Sequence, residues 1–256
     1  MNKKPGKTNI FLLLGICIIL IVIGALVFKT VLNYQELLKE KGIGSETEKT
    51  SQQASSSDNA SQTKKAEENQ EPLINVMPAL ENKSILMVIA FKDFRDEEYL
   101  KTKYLFQVAG GKIKTASTQK GTAVGADGNA AEVDVLIKDA NPTDYDAVVF
   151  IGGSGALTYL DNEDSYKLAR ETIADNKVLA GICISPVVLA KAGVLKGKKA
   201  TVWTSSMDKS AVKILEENGA TFQDKPVIAD GKIITGNGPD ASDEFAMKII
   251  EVLTSI

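Results

Sequence analysis

Residues 178–186 read Val178-Leu179-Ala180-Gly181-Ile182-Cys183-Ile184-Ser185-Pro186, an apolar run of strand length that meets a helix start. An apolar run without alternation is what a strand covered on both faces requires. Ser185 suits a helix cap and Pro186 the first helical position, where a missing N–H costs nothing. The segment therefore predicts a strand at 178–183, a sharp turn and a helix that stops at Gly193. Cys183 then stands above the sheet edge near a helix N-terminus, the geometry of a nucleophile elbow. The positive end of that helix favours a thiolate, the reactive form. The ordinary reading of a lone strand-end cysteine is a small buried hydrophobe, and it is the turn that argues for chemistry.

The pattern continues on both sides. Strands are predicted at 84–90 (SILMVIA), 112–117 (KIKTAS), 133–137 (VDVLI) and 147–151 (AVVFI). Helices are predicted at about 96–109, 164–176, 205–218 and 241–253, several of them ended by glycine. Asp230-Gly231, inside 227–234, signals a two-residue hairpin. Strands alternating with helices predict an α/β fold with a doubly wound, mostly parallel sheet sandwiched by helices. Ligands in such sheets sit at the carboxyl ends of the strands.

The N-terminal third has a different texture. Residues 10–28 (IFLLLGICIILIVIGALVF) carry no charge and follow Lys3, Lys4 and Lys7 in a basic flank at 1–9. A helix of that length nearly crosses a ~30 Å hydrocarbon layer. The run exceeds the core of a cleaved signal peptide, and no small-residue cleavage site follows. Ile16 stands where an acylated Cys17 needs a small residue, which disfavours a lipoprotein. A single transmembrane anchor is predicted, with the N-terminus cytoplasmic and the remainder extracytoplasmic. Residues 29–82 form a juxtamembrane segment and a polar linker too poor in apolar surface to fold. Residues 83–256 form the α/β domain.

Composition narrows the chemistry. The chain has 256 residues and a net charge of −3, which gives no reason to expect a nucleic-acid partner. It contains no histidine, so Ser-His-Asp triads, Cys-His dyads and HExxH zinc sites are excluded. Cys183 is the thiol of the folded domain, since Cys17 lies inside the apolar run. The loop Gly152-Gly153-Ser154-Gly155 follows the 147–151 strand and lacks the spacing of a dinucleotide fingerprint. Adjacent parallel strands would place its first two amides beside Cys183, where they could face a developing oxyanion. The acids of Phe94-Arg95-Asp96-Glu97-Glu98-Tyr99 read as complements to a helix dipole. The run Asp161-Asn162-Glu163-Asp164 lacks calcium-loop spacing, so no metal site is assigned and no cofactor is expected.

These segments together resemble the ThiJ/PfpI superfamily, which includes the parkinsonism-linked protein deglycase and the PfpI-type peptidases. Phe94-Arg95-Asp96-Glu97-Glu98 resembles the family's F-E-D-x-E turn. Tyr145 to Gly153 (YDAVVFIGG) resembles YDALVLPGG, and Gly181 to Pro186 an A-I-C-x-G-P elbow. Ala192 to Lys199 (AGVLKGKK) resembles AGVLxGRK, and Gly238-Pro239 followed by Glu244-Phe245-Ala246 resembles the entry to the last helix. The resemblance implies a flavodoxin-like sandwich, Cys183 as nucleophile and Glu98 as its protonated carboxyl partner, with Gly152, Gly153 and Ile184 binding the oxyanion. It also implies a pocket at Trp203 and Asn237 and a homodimer or larger homo-oligomer. The chain departs from the pattern at Arg95, Ile151, Ile184, Ser185 and Trp203; the last replaces a pocket histidine of deglycase-like members.

Two functions are in competition. The first is a membrane-anchored, cysteine-dependent enzyme acting on a small carbonyl or glycated substrate, glyoxalase-like or deglycase-like, in stress defence. The second is a redox sensor or binding module on the same fold. A peptidase would need a histidine to activate Cys183, which even a second identical subunit lacks.

Overall fold

The computed structural model describes residues 79–255. The anchor predicted at 10–28 and most of the linker lie outside the described residues. Among those described, no helix is long and apolar enough to cross a membrane.

In chain order the elements are β1 (Ser84–Val88), β2 (Lys92–Phe94), α1 (Asp96–Val108), β3 (Lys112–Ser117), β4 (Gly121–Gly125), β5 (Ala130–Val133) and β6 (Val135–Leu136). There follow β7 (Ala147–Phe150), α2 (Ala156–Tyr159), α3 (Glu163–Ala174), β8 (Val178–Ile182), α4 (Pro186–Lys191) and β9 (Lys199–Ala200). The chain closes with α5 (Ser210–Glu217), β10 (Thr221–Phe222), β11 (Val227–Asp230), β12 (Ile233–Gly236) and α6 (Ser242–Thr254).

Seven strands form one sheet in the order β11-β12-β8-β7-β1-β3-β6. Every neighbouring pair is parallel except the β11–β12 hairpin. Side chains alternate across the sheet. Ile85, Met87, Val149, Ala180 and Ile182 face a core closed by Leu105 and Phe106 of α1 and by Phe245, Ile249 and Leu253 of α6. Leu86, Val88, Val148, Phe150 and Leu179 face the opposite core, closed by α3, α4 and α5. The apolar runs of β1, β7 and β8 thus reflect burial on both faces. The sheet is mostly parallel and helix-covered, as the alternation of elements predicts.

Several boundaries differ from the sequence reading, each for a local reason. The strand predicted at 133–137 is split at Asp134, where the chain passes from a small sheet (β2-β4-β5) to the edge of the main one. Asp134 makes the junction by accepting the Thr115 amide at 2.7 Å and donating its own to the Thr115 carbonyl at 2.9 Å. The helix predicted from 205 begins at Ser210. Ser205 Oγ accepts the amides of Met207 and Asp208, and Asp208 Oδ1 accepts that of Ser210. Such side chains offer the backbone an alternative to helix. The hairpin turn is centred on Gly231 and Lys232 rather than Asp230-Gly231, since Asp230 pairs with Ile233.

Packing begins before Lys83. Leu80 is fully buried, and its amide donates to the Ala109 carbonyl at 2.8 Å, so it belongs to the core and not to a linker. Leu80→Ala should lower the free energy of unfolding by about 2–5 kcal/mol, the range for a buried leucine. Chemical denaturation checks this, and a loss near zero would mean that the domain starts after Leu80.

Candidate active site

The carboxyl ends of β7 and β8 meet the start of α1, and the site is assembled there. Cys183 immediately follows β8 and adopts φ 61°, a left-handed conformation unusual for a residue with a Cβ. Its backbone is held on both sides. The Cys183 amide donates to the Gly236 carbonyl at 2.9 Å, and the Trp203 amide donates to the Cys183 carbonyl at 2.8 Å. Strain of this kind persists where surrounding bonds over-determine it. The elbow is therefore real and is clamped by β12 and by the segment after β9.

Ser185 stands at the helix start without capping it. Its backbone is already helical, and its Oγ donates to the Ile151 carbonyl at 2.8 Å. The hydroxyl thus ties the elbow to the end of β7, which is a different task from the cap read in the sequence.

Glu98 lies in the first turn of α1 and is completely buried. Its Oε2 accepts the Gly152 amide at 2.9 Å. A Cβ on Gly152 would fall 2.5 Å from Cys183 Cβ and 2.8 Å from Glu98 Oε2, so only glycine fits between the two groups. Gly153 has φ 115°, and a Cβ there would fall 2.4 Å from the Arg95 nitrogen. These glycines let two backbones approach; loop flexibility is not their purpose.

The predicted oxyanion donors divide accordingly. Gly152 is committed to Glu98, which removes it from the set. The amides of Gly153 and Ile184 face the Cys183 sulfur and stabilise negative charge on it. Trp203 is 38% exposed; beyond its backbone bond to Cys183, its Cδ1 lies near Gly238. Asn237 is half-buried just beyond β12, and its amide donates to Pro226 rather than to the elbow. The acid run at 161–164 is a helix start, with Asn162 Oδ1 accepting the Ser165 amide at 3.1 Å.

Electrostatics bind the pair. Burial pushes the Glu98 carboxyl up to about 7, against the lowering effects of Cys183, the Gly152 amide and the Arg95 charge. Burial also pushes the Cys183 thiol up to about 12, and the Glu98 carboxylate adds to this while the two amides oppose it. The helix that follows the elbow, α4, spans only six residues, and burial acts on the thiol against the thiolate expected from a helix terminus. Glu98 Oε1 is buried without an aligned hydrogen-bond partner, which leaves it open to take the thiol proton. That transfer would neutralise the carboxylate that opposes thiolate formation.

A doubly wound α/β domain with a strained cysteine elbow and a buried glutamate defines the class of protein. The chain belongs to the DJ-1/PfpI family, whose model matches residues 83–252. It is 43% identical over 175 residues to an uncharacterised protein of Methanocaldococcus jannaschii, spanning 68% of this chain and 84% of that one. It is 29% identical over 168 residues to deglycase PfpI of Pyrococcus furiosus, spanning 66% and 98%. Among solved structures, a ThiJ/PfpI domain protein from Brachyspira murdochii superposes with a TM-score of 0.64 at 36% identity, covering 69% and 99%.

Two features had no signal in the sequence: the Gly236 carbonyl, a backbone group, and the capture of the Gly152 amide by Glu98. The raised Glu98 pKa makes a testable statement about stability. Protonation is favoured in the fold, so this contribution is present below the ordinary value of 4.5 and is lost as pH rises through about 7. At one pKa unit per 1.36 kcal/mol, the loss is about 3 kcal/mol. Glu98→Gln should therefore gain stability relative to the parent between pH 5 and pH 8, measured by denaturation at both. A parallel pH dependence in the two proteins would contradict the assignment.

Proposed function

We propose that the protein is a membrane-tethered, cysteine-dependent enzyme acting on small reactive carbonyls or their glycation adducts, with Cys183 as nucleophile and Glu98 as proton carrier. The observation that carries this reading is the elbow itself: a strained, doubly clamped Cys183 with Glu98 on one side and the amides of Gly153 and Ile184 facing its sulfur. The deglycase names of several relatives support the substrate class.

The steps follow from the groups present. Glu98 takes the thiol proton as sulfur attacks the carbonyl carbon, and the oxygen that gains the electron pair lies near the two amides. Glu98 then returns the proton to that oxygen, since a group titrating near 7 serves as base and acid in turn. The redox-sensor alternative would use the same Cys183, and the deglycase names of the relatives favour the carbonyl reading over it.

Methylglyoxal turnover tests the reading. Cys183→Ala should abolish it, and Glu98→Gln should reduce it about 10²–10⁴-fold, the range for general acid–base catalysis. If Cys183→Ala turns over methylglyoxal as fast as the parent, the reading fails. The tether at 10–28 is a separate proposal, resting on the uncharged run and its basic flank. Protease shaving of intact cells should remove the α/β domain, whereas full protection would place it on the cytoplasmic side.

A further inference from the structure

We propose that Asp96 is a positioning residue for the reacting pair: its carboxylate latches the turn between β4 and β5 onto the start of α1 and so holds Glu98 buried beside Cys183. This rests on the carbonyl reading above for what the pair does, while the latch itself rests on the packing around residues 93–96.

Asp96 opens α1 yet is only 2% exposed, where an acid in a first helical turn ordinarily faces water. Both of its carboxylate oxygens are occupied. Oδ2 accepts the Asp127 amide at 2.8 Å and Oδ1 the Asn129 amide at 2.9 Å, from 31 and 33 positions away. A Cβ on Gly125 would fall 2.2 Å from Oδ1, so the end of β4 leaves room for the carboxylate and nothing more. The helix has no side-chain cap of its own, since Arg95 at the cap position makes no such bond. The bonds from Asp96 to the hairpin turn therefore take over the task of fixing where α1 begins.

The latched segment also carries the site. On its outer side the Ala126 amide donates to the Phe94 carbonyl at 2.9 Å. On its inner side the Arg95 amide donates to the Gly152 carbonyl and the Gly155 amide to the Asp93 carbonyl, each at 3.0 Å. Asp93 holds φ 59°, a left-handed backbone that bonds on both sides enforce. Residues 93–96 are thus pinned between the hairpin turn and the glycine loop. Glu98 follows two residues later and meets the Gly152 amide. Release of the outer anchor would let the first turn of α1 move away from the loop and admit water to Glu98.

A double-mutant cycle on the full chain separates positioning from a merely structural role. Asp96→Asn keeps the shape and one acceptor, but its Nδ2 is a donor set against a second donor. Burial raises the Asp96 pKa, and the bonds to Asp127 and Asn129 hold it below its ordinary value all the same, so its own titration lies outside the window used. Between pH 5 and pH 8, Glu98→Gln gains stability over the parent because the buried Glu98 titrates near 7. In the Asp96→Asn background that gain should shrink by about half or more, since a hydrated Glu98 titrates nearer its ordinary 4.5. The other groups acting on Glu98, Cys183, Arg95 and Glu97, are the same in all four proteins. A latch with no bearing on Glu98 would lower stability equally at every pH and leave the gain undiminished, and that result overturns the proposal. Gly125→Ala presses on Oδ1 from the hairpin side and should shrink the gain in the same way; it decides the matter if Asp96→Asn does not fold. Methylglyoxal turnover should fall about 10–10²-fold in Asp96→Asn and should not fall further when Asp96→Asn is added to Glu98→Gln. Independent, additive losses count against the proposal. A parent that does not turn over methylglyoxal sinks the carbonyl reading and leaves the stability cycle readable.

Discussion

The Gly152 amide donates to a fully buried carboxylate across a space that admits no side chain, and the site is organised around that contact. It joins the end of β7 to the first turn of α1. It presses Glu98 against the elbow on β8 and puts the carboxyl where burial holds its pKa near neutrality. A methyl group at Gly152 would part Cys183 and Glu98. The glycine pair therefore serves close approach, and an amide that looks available for an oxyanion is already spent on positioning Glu98.

The elbow depends on bonds from elements far apart in sequence. Cys183 holds a left-handed backbone because Gly236 and Trp203 grip it on both sides and Ser185 ties the following residues to Ile151. Each bond comes from a different strand end or loop, so strain at one residue is shared by the whole carboxyl edge of the sheet. The parallel sheet is what brings these ends together. Stability and site geometry are thus coupled through backbone groups more than through side chains.

The absence of histidine gives the Cys183–Glu98 pair its character. A cysteine beside an imidazolium rests as a thiolate, whereas here the partner is a carboxyl group that disfavours thiolate formation until it takes the proton itself. Thiol and carboxyl are thus coupled through burial and proximity, since burial raises both and the carboxylate opposes the charged form of the thiol.

Much of this was legible in residues 84–254. Continuous apolar runs fixed the buried strands because burial on both faces leaves no polar position, and Gly181 to Pro186 announced the elbow because a strand must turn sharply to reach a proline-led helix. The single missing residue type excluded the Cys-His branch of the family. Tertiary structure alone decided the rest. Asp134 breaks an expected strand through a side-chain bond to the amide of Thr115, 19 positions away. Ser185 bonds across to Ile151 instead of capping its own helix, and Gly152 gives its amide to Glu98. Local propensity reports what a segment prefers, while a hydrogen-bond partner 34 or 54 positions away is chosen only when the sheet has formed.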